Sequence, residues 1–205
     1  MRIDKLTDAL IELQSIAQTG LHYSKNVYDT EHFGRIREIA AELMAEKTEL
    51  PLDKVKGIFC NDTGYQTPKI DTRAAIFKDN KILLVHEADG GWSIPGGWCE
   101  VTLSPVDNAK KEAKEEAGKD IAVKSVIAVQ NREKHNHPLY AYGIVIIFYL
   151  CEELGGEFQP NSETTEIGYF SEDALPELAI NKCTEEQIKM CFEASRAEHW
   201  KTQFD

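Results

Sequence analysis

A chain of 205 residues with 42% hydrophobic composition is long enough for one full domain and a small accessory one. Its formal net charge of −12 excludes a broad basic surface for nucleic acid, although phosphates can still be handled locally through bound cations. The longest apolar run, Ile144 to Cys151, is too short to span a bilayer, so no membrane association is expected. The five cysteines form no CxxC pair and the start carries no secretory signal pattern, which leads us to expect reduced thiols and a cytoplasmic protein.

Residues 1–60 read as helical. Ile3, Leu6, Leu10, Leu13 and Ala17 recur at three-four spacing, as do Phe33, Ile36, Ala40 and Leu43. Gly20 is expected to end the first helix, Asp29 or Thr30 to cap the second, and Pro51 to Phe59 to add a third. Helices of this size make a thin core, so they are expected to pack on the main domain or on a second subunit as a dimer arm. In the second case His22 and Tyr23 become available to a substrate pocket.

Residues 61–68, with Gly64 and Pro68, read as a linker to a domain at 69–205. A β-hairpin follows: Arg73 to Phe77, a turn at Asp79-Asn80, then Ile82 to His86. Trp92 to Ile94 is a short strand entering a Pro95-Gly96-Gly97 loop. Beyond a helix, Val126 to Gln130 and Tyr142 to Cys151 read as strands, with a polar loop, Asn131 to Tyr140, between them. Ile167 to Phe170 is the last strand. Ser171 caps a turn running to Leu178, and Thr184 to Ala197 forms a C-terminal amphipathic helix. Strands interleaved with helices indicate an α/β class domain, three α/β/α layers on a mixed sheet, preceded by a small α-helical domain.

The helix after the glycines carries the chemistry. Ser104 is a good N-cap, Pro105 suits the first helical position, and Asp107 completes a capping-box pattern. Gly118 fits the left-handed residue past the end. Val106, Ala109, Ala113 and Ala117 form one packing stripe, and Glu112, Glu115 and Glu116 fall on a neighbouring one. Like charges at that spacing weaken a helix, and Glu115 and Glu116 also sit where the helix dipole favours cations. A solvated Glu/Lys face, with Lys110, Lys111, Lys114 and Lys119 as counterions, is one reading. The other is a hard divalent cation, Mg²⁺ or Mn²⁺, held by oxygen ligands. The Gly96-Gly97 loop favours the second, because glycine lets backbone approach an ion closely.

At these residues the sequence resembles the Nudix hydrolase family, whose box reads G-x5-E-x7-R-E-U-x-E-E-x-G-U with U a bulky aliphatic residue. Gly97, Glu112, Glu115, Glu116 and Gly118 match the pattern. Leu103 stands where the family has its first glutamate, Lys111 where it has arginine, Ala113 where a larger residue is usual, and Lys119 where the final aliphatic belongs. The first glutamate and the arginine brace the loop and helix in that family. Lysine lacks the bidentate fork, and Leu103 cannot receive it at all. Glu12 to Leu43 is similar to the helical extension of one bacterial Nudix subgroup, that of CDP-choline pyrophosphatase and its ADP-ribose pyrophosphatase-like relatives.

The resemblance implies a Nudix α/β/α sandwich that hydrolyses the diphosphate of a nucleoside diphosphate-linked small molecule. Metal would sit on Glu112, Glu115 and Glu116, with the Gly96 carbonyl as a further ligand. CDP-choline, cleaved to CMP and phosphocholine, is the first expectation. ADP-ribose, a nucleotide sugar or an RNA 5′ end are alternatives, and nucleic acid as such is not expected. Catalysis is assigned to Glu112, Glu115, Glu116 and a general base from the later loop, Glu166 in preference to Glu163, although a box glutamate can serve as base in this family. For substrate we single out Arg73 as a phosphate contact, and the loop residues His135, His137 and Tyr140, whose HxH pair lacks the further ligands of a zinc site. Trp98 could stack on a base or face a cation, while Trp92 reads as core. A nucleotide sensor without catalysis is the rival reading from another class; an isomerase on the same fold has no support of its own. A homodimer is expected.

Overall fold

In the computed structural model, residues 5–88, 90–138, 140 and 142–205 are described. The chain divides into two compact units, Met1–Pro68 with Tyr140–Gly143, and Lys69–Leu139 with Ile144–Asp205. Among the described residues no helix is long and apolar enough to cross a membrane.

The first unit holds α1 (Lys5–Tyr23), α2 (Val27–Thr48) and α3 (Leu52–Phe59). Leu10, Ala40, Ala41, Met44, Val55 and Phe59 close its core. Helix α1 does not stop at Gly20. The glycine sits there because the Phe33 ring lies against the helix, where an added Cβ would be only 2.4 Å from ring carbons. The cap of α2 is Asn26, whose side chain accepts the Tyr28 N–H, rather than Asp29 or Thr30. Val27 and Tyr28 are both exposed, so apolar periodicity begins a turn later than the helix does.

The second unit is built on a mixed sheet: β1 (Lys69–Lys78), β2 (Lys81–Glu87), β3 (Trp92–Ser93), β4 (Gly96–Trp98), β5 (Asp120–Asn131), β6 (Ile144–Gly155), β7 (Thr164–Phe170) and β8 (Gln203–Phe204). The order is β3-β2-β1-β6-β5-β8, with β4 also on β1 and β7 also on β2. β1 and β6 run parallel at the centre, from Lys69↔Ile144 to Phe77↔Glu152. The β1–β2 turn falls at Asp79 and Asn80 as expected, both with positive φ.

Helix α4 (Pro105–Ala117) covers one face. Val106, Ala109, Ala113 and Ala117 pack on Ala74, Ile76, Leu83, Val85, Tyr149 and Cys151, as the small-residue stripe requires. Helix α5 (Glu185–Arg196) covers the other, where Phe192 meets Phe77 edge-on at 5.1 Å. Its cap, Thr184, forms a full capping box with Gln187. Ser171 closes only a turn, through the Ala174 N–H.

Several strand limits differ from expectation. β5 starts at Asp120 rather than Val126, because irregularities at Val123/Ser125 and Val126/Ala128 break the two-residue alternation that marks a strand. β6 starts at Ile144, after Tyr142. β4 was expected as loop, yet its glycines pair with β1, Thr72↔Gly97 and Arg73↔Gly96. β8 had no signal in sequence; Thr202 and Trp200 side chains donate to the carbonyls of Val126 and Ile127 and lay it beside β5.

Candidate active site

The site grows from the ends of α4. Ser104 Oγ accepts the Asp107 N–H at 3.1 Å, while the Asp107 carboxylate takes the Ser104 hydroxyl at 2.7 Å. Gly118 closes the helix at φ 67°, and a Cβ there would stand 2.2 Å from the Glu157 carbonyl oxygen, so only glycine fits. The last carbonyls of α4 are satisfied from outside the helix. Asn161 Nδ2 donates to Glu115 O and Thr164 Oγ1 to Glu116 O, each at 2.8 Å.

The three glutamates do not share one environment. Glu112 and Glu116 are 9% and 4% exposed, tucked beneath β4, whereas Glu115 stands in solvent. Glu116 Oε2 accepts the Gly96 N–H at 2.7 Å. Gly96 has φ 149°, and a side chain there would collide with the Thr72 carbonyl at 1.9 Å. A Cβ on Gly97 would lie 3.1 Å from Glu112 Oε2, so the second glycine keeps room for that carboxylate. Asn108 Nδ2 donates to Thr72 Oγ1 at 2.9 Å, and its Oδ1 accepts the Glu100 N–H at 3.1 Å. The helix thereby holds β1 and the glycine strand in register.

Burial drives the titration of both inner glutamates. It pushes Glu116 up to about 7 against the opposing Gly96 N–H and Arg73 charge. It also raises Glu112, with Lys111 opposing and the charges of Glu115 and Glu163 adding to the rise. Lys111 Nζ contacts the Glu115 carboxylate and lies 3.3 Å from Glu100 and 3.6 Å from Glu112. The cation at the family's arginine position is therefore not without a brace. Its hydrogen-bond acceptor is Glu115, and Glu100, three residues before Leu103, is an ion-pair neighbour from the loop.

Arg73 sits deeper than an exposed phosphate contact would. It was expected to reach a phosphate, but it is 3% exposed; its Nη2 pairs with Asp71 at 2.7 Å and its Nη1 donates to the Ile94 carbonyl. The pairing outweighs burial and holds the guanidinium firmly charged behind Glu116. Nearby, buried Glu87 accepts from Ser93 Oγ and Lys182 Nζ, pinning the segment that leads into Gly96.

The two loop acids separate as well. Ile167 and Tyr169 face the α4 core, so alternation turns Glu166 to the opposite side of β7, opposite His86 in the pairing. Glu163 is the acid whose charge is felt at Glu112. Trp98 is 45% exposed beside Gly97, and Trp92 is part-buried against Phe170 and His86. His135 and His137 line a separate hollow of about 670 Å³ with Glu172, Asp173, Glu185 and Glu186, to which α4 contributes nothing. Tyr140 belongs to the helical unit and stacks on Tyr142 at 5.8 Å. Within the second unit, Trp98 lies beside Gly97 whereas His135 and His137 line that other hollow.

Among the described residues no group of three His, Cys, Asp or Glu side chains stands gathered as a metal cage. The chemistry of the donors still suits a hard divalent ion. Two buried carboxylates and a third beside them offer oxygen alone, under a strand whose glycines clear the approach. Asn108, Asn161, Thr164, Glu87 and Lys182 were not foreseen as parts of the site. They act through contacts distant in sequence, for which neither periodicity nor spacing gives a signal.

A mixed sheet whose glycine strand lies over a carboxylate-bearing helix defines a Nudix-type hydrolase domain. The profile described as NUDIX domain matches residues 68–190, and one described as "UDP-X-like, N-terminal oligomerisation domain" matches residues 4–59. The chain belongs to the Nudix hydrolase family. A Bacillus subtilis (strain 168) protein with the provisional name ADP-ribose pyrophosphatase YjhB is 40% identical over 194 residues, 94% of this chain and 93% of its own. The crystal structure of an ADP-ribose pyrophosphatase from Streptococcus suis 89-1591 is 55% identical with TM-score 0.64, covering 68% of this chain and 100% of that one. The crystal structure of UDP-X diphosphatase has TM-score 0.64 at 29% identity and covers 100% of both chains.

Proposed function

We propose that this Nudix pyrophosphatase cleaves the diphosphate of a nucleoside diphosphate-linked small molecule with Mg²⁺, or Mn²⁺, held by Glu112, Glu115, Glu116 and the Gly96 carbonyl. The observation that carries the reading is the pair of buried carboxylates, Glu112 and Glu116, fitted under Gly96 and Gly97. Buried carboxylates need a counter-charge, and a hard cation supplies one. When bound, the ion would shield the diphosphate and lower the pKa of a water. Glu163 is the general base we put forward to receive the water's proton, because it sits on the loop that Asn161 and Thr164 tie to the carboxylate end of α4. Oxygen adds to one phosphorus as the bridging P–O bond breaks, giving a nucleoside monophosphate and the phosphorylated second group. The Asn161 and Thr164 hydrogen bonds hold the Glu163 loop to the end of α4.

CDP-choline is the first substrate we put forward, with exposed Trp98 as a face for the choline cation. ADP-ribose or a UDP-linked compound is a second reading, favoured by the names of the relatives. Residues 1–60 are the oligomerising part and 69–205 the catalytic part, joined by 61–68, in a cytoplasmic homodimer. In support, one flank of α1 leaves Leu6, Leu13, Ile16 and Tyr23 exposed.

The test is a panel of CDP-choline, ADP-ribose, UDP-sugars and capped RNA ends, with products identified by mass. Turnover of one small diphosphate that needs Mg²⁺ or Mn²⁺, and falls by about two to three orders of magnitude in Glu112→Gln and Glu116→Gln, is the expected result. Nucleotide binding without turnover would make the protein a sensor instead.

A further inference from the structure

The contacts of Lys111 suggest more than a weakened brace. Its ammonium touches the Glu115 carboxylate and lies 3.6 Å from Glu112, so it occupies the charge field that a metal would use. Its third neighbour, Glu100 at 3.3 Å, is not among the residues that would hold metal. The position of Glu100 is set by α4 itself, because Asn108 Oδ1 accepts the Glu100 N–H while Asn108 Nδ2 bonds Thr72. The same loop carries Leu103, where no acid is offered. An arginine would lock into one bidentate pose, but an ammonium on a four-carbon stem can exchange one carboxylate for another at little cost.

We propose that Lys111 and Glu100 form a cation relay: the ammonium serves as counter-charge to Glu112 and Glu115, and Glu100 draws it aside when a divalent ion enters. Both are positioning residues, and the inference rests on the reading that these glutamates hold metal. No proton need move; the lysine changes partner. Its removal should loosen the protein without metal yet tighten metal binding. A lysine that merely braces the loop would weaken both.

The experiment is titration of the EDTA-stripped full chain with Mn²⁺, followed by electron paramagnetic resonance, alongside thermal melts in EDTA. Lys111→Met, with Lys111→Gln as a second variant, should bind Mn²⁺ about five-fold tighter than wild type while melting lower in EDTA. Glu100→Gln should bind it about three-fold more weakly, because the ammonium then stays on Glu115. In the double variant Glu100→Gln should have no further effect, since the residue it parks is gone. Weaker binding by Lys111→Met and Lys111→Gln, or an undiminished Glu100→Gln effect in the double variant, overturns the relay alone. Wild type that takes up no Mn²⁺ overturns the metal reading and the relay with it.

Discussion

Gly96 and Glu116 depend on each other: the glycine N–H that Glu116 accepts is available only because β4 runs against Thr72 with no side chain between them. Gly96→Ala is therefore expected to lower the melting temperature by several degrees and abolish turnover, as read by calorimetry and product assay. At the same scale the two loop acids can be told apart. Glu163→Gln should reduce kcat by about a hundredfold with folding intact, and Glu166→Gln by less than about twofold, because Glu166 projects from the other face of β7. Equal losses in the two variants would remove Glu163 from the role of base. The sequence reading prefers Glu166 to Glu163 for this role, and the pairing of Glu166 with His86 is what favours Glu163 in our proposal. Choosing between residues three apart on a strand entrance requires knowing where the strand begins, and β7 begins at Thr164 rather than Ile167.

At the scale of elements, α4 is held at its C-terminal end by Asn161 and Thr164, the residues that flank Glu163. Asn161→Ala removes one such bond, with an expected cost of about 1 kcal/mol in denaturant unfolding. It should also lower kcat more than it changes KM. The Lys119 departure from the family pattern has a structural partner as well. Lys119 Nζ lies 3.0 Å from Glu153 on β6, and the Tyr169 hydroxyl donates to the same carboxylate. Burial alone would raise Glu153, but these two donors hold it below the ordinary value of 4.5. A carboxylate lowered by folding stabilises the protein above its unfolded value, and that contribution is lost as pH falls through its folded value. Glu153→Gln should thus cost about 1–3 kcal/mol at neutral pH, and the deficit should shrink as pH falls below the ordinary value of 4.5 in urea titrations.

At the scale of the whole molecule, the helical unit has a closed core and still leaves apolar side chains in solvent, Leu13 and Ile16 on α1 and Ile39 and Leu43 on α2. The profile matched by residues 4–59 is described as an oligomerisation domain, which agrees with a stripe of this kind. Replacing Leu13 and Ile16 together by glutamate should convert the protein to monomer in light scattering after size exclusion, with the melting of the catalytic unit unchanged. A wild-type chain that already runs as a monomer would count against the homodimer.

The sequence by itself determined the local terms: the cap at Ser104, the left-handed Gly118, the alanine stripe of α4 and the turn at Asp79-Asn80. Each depends on residues within a few positions of one another. Tertiary structure alone decided that Glu112 and Glu116 are buried while Glu115 is not, that Arg73 is occupied by Asp71, and that Glu100 stands in for an acid at Leu103. The reason is physical. Burial and pairing are set by which strand lies over which helix, and that information is carried by contacts between distant parts of the chain.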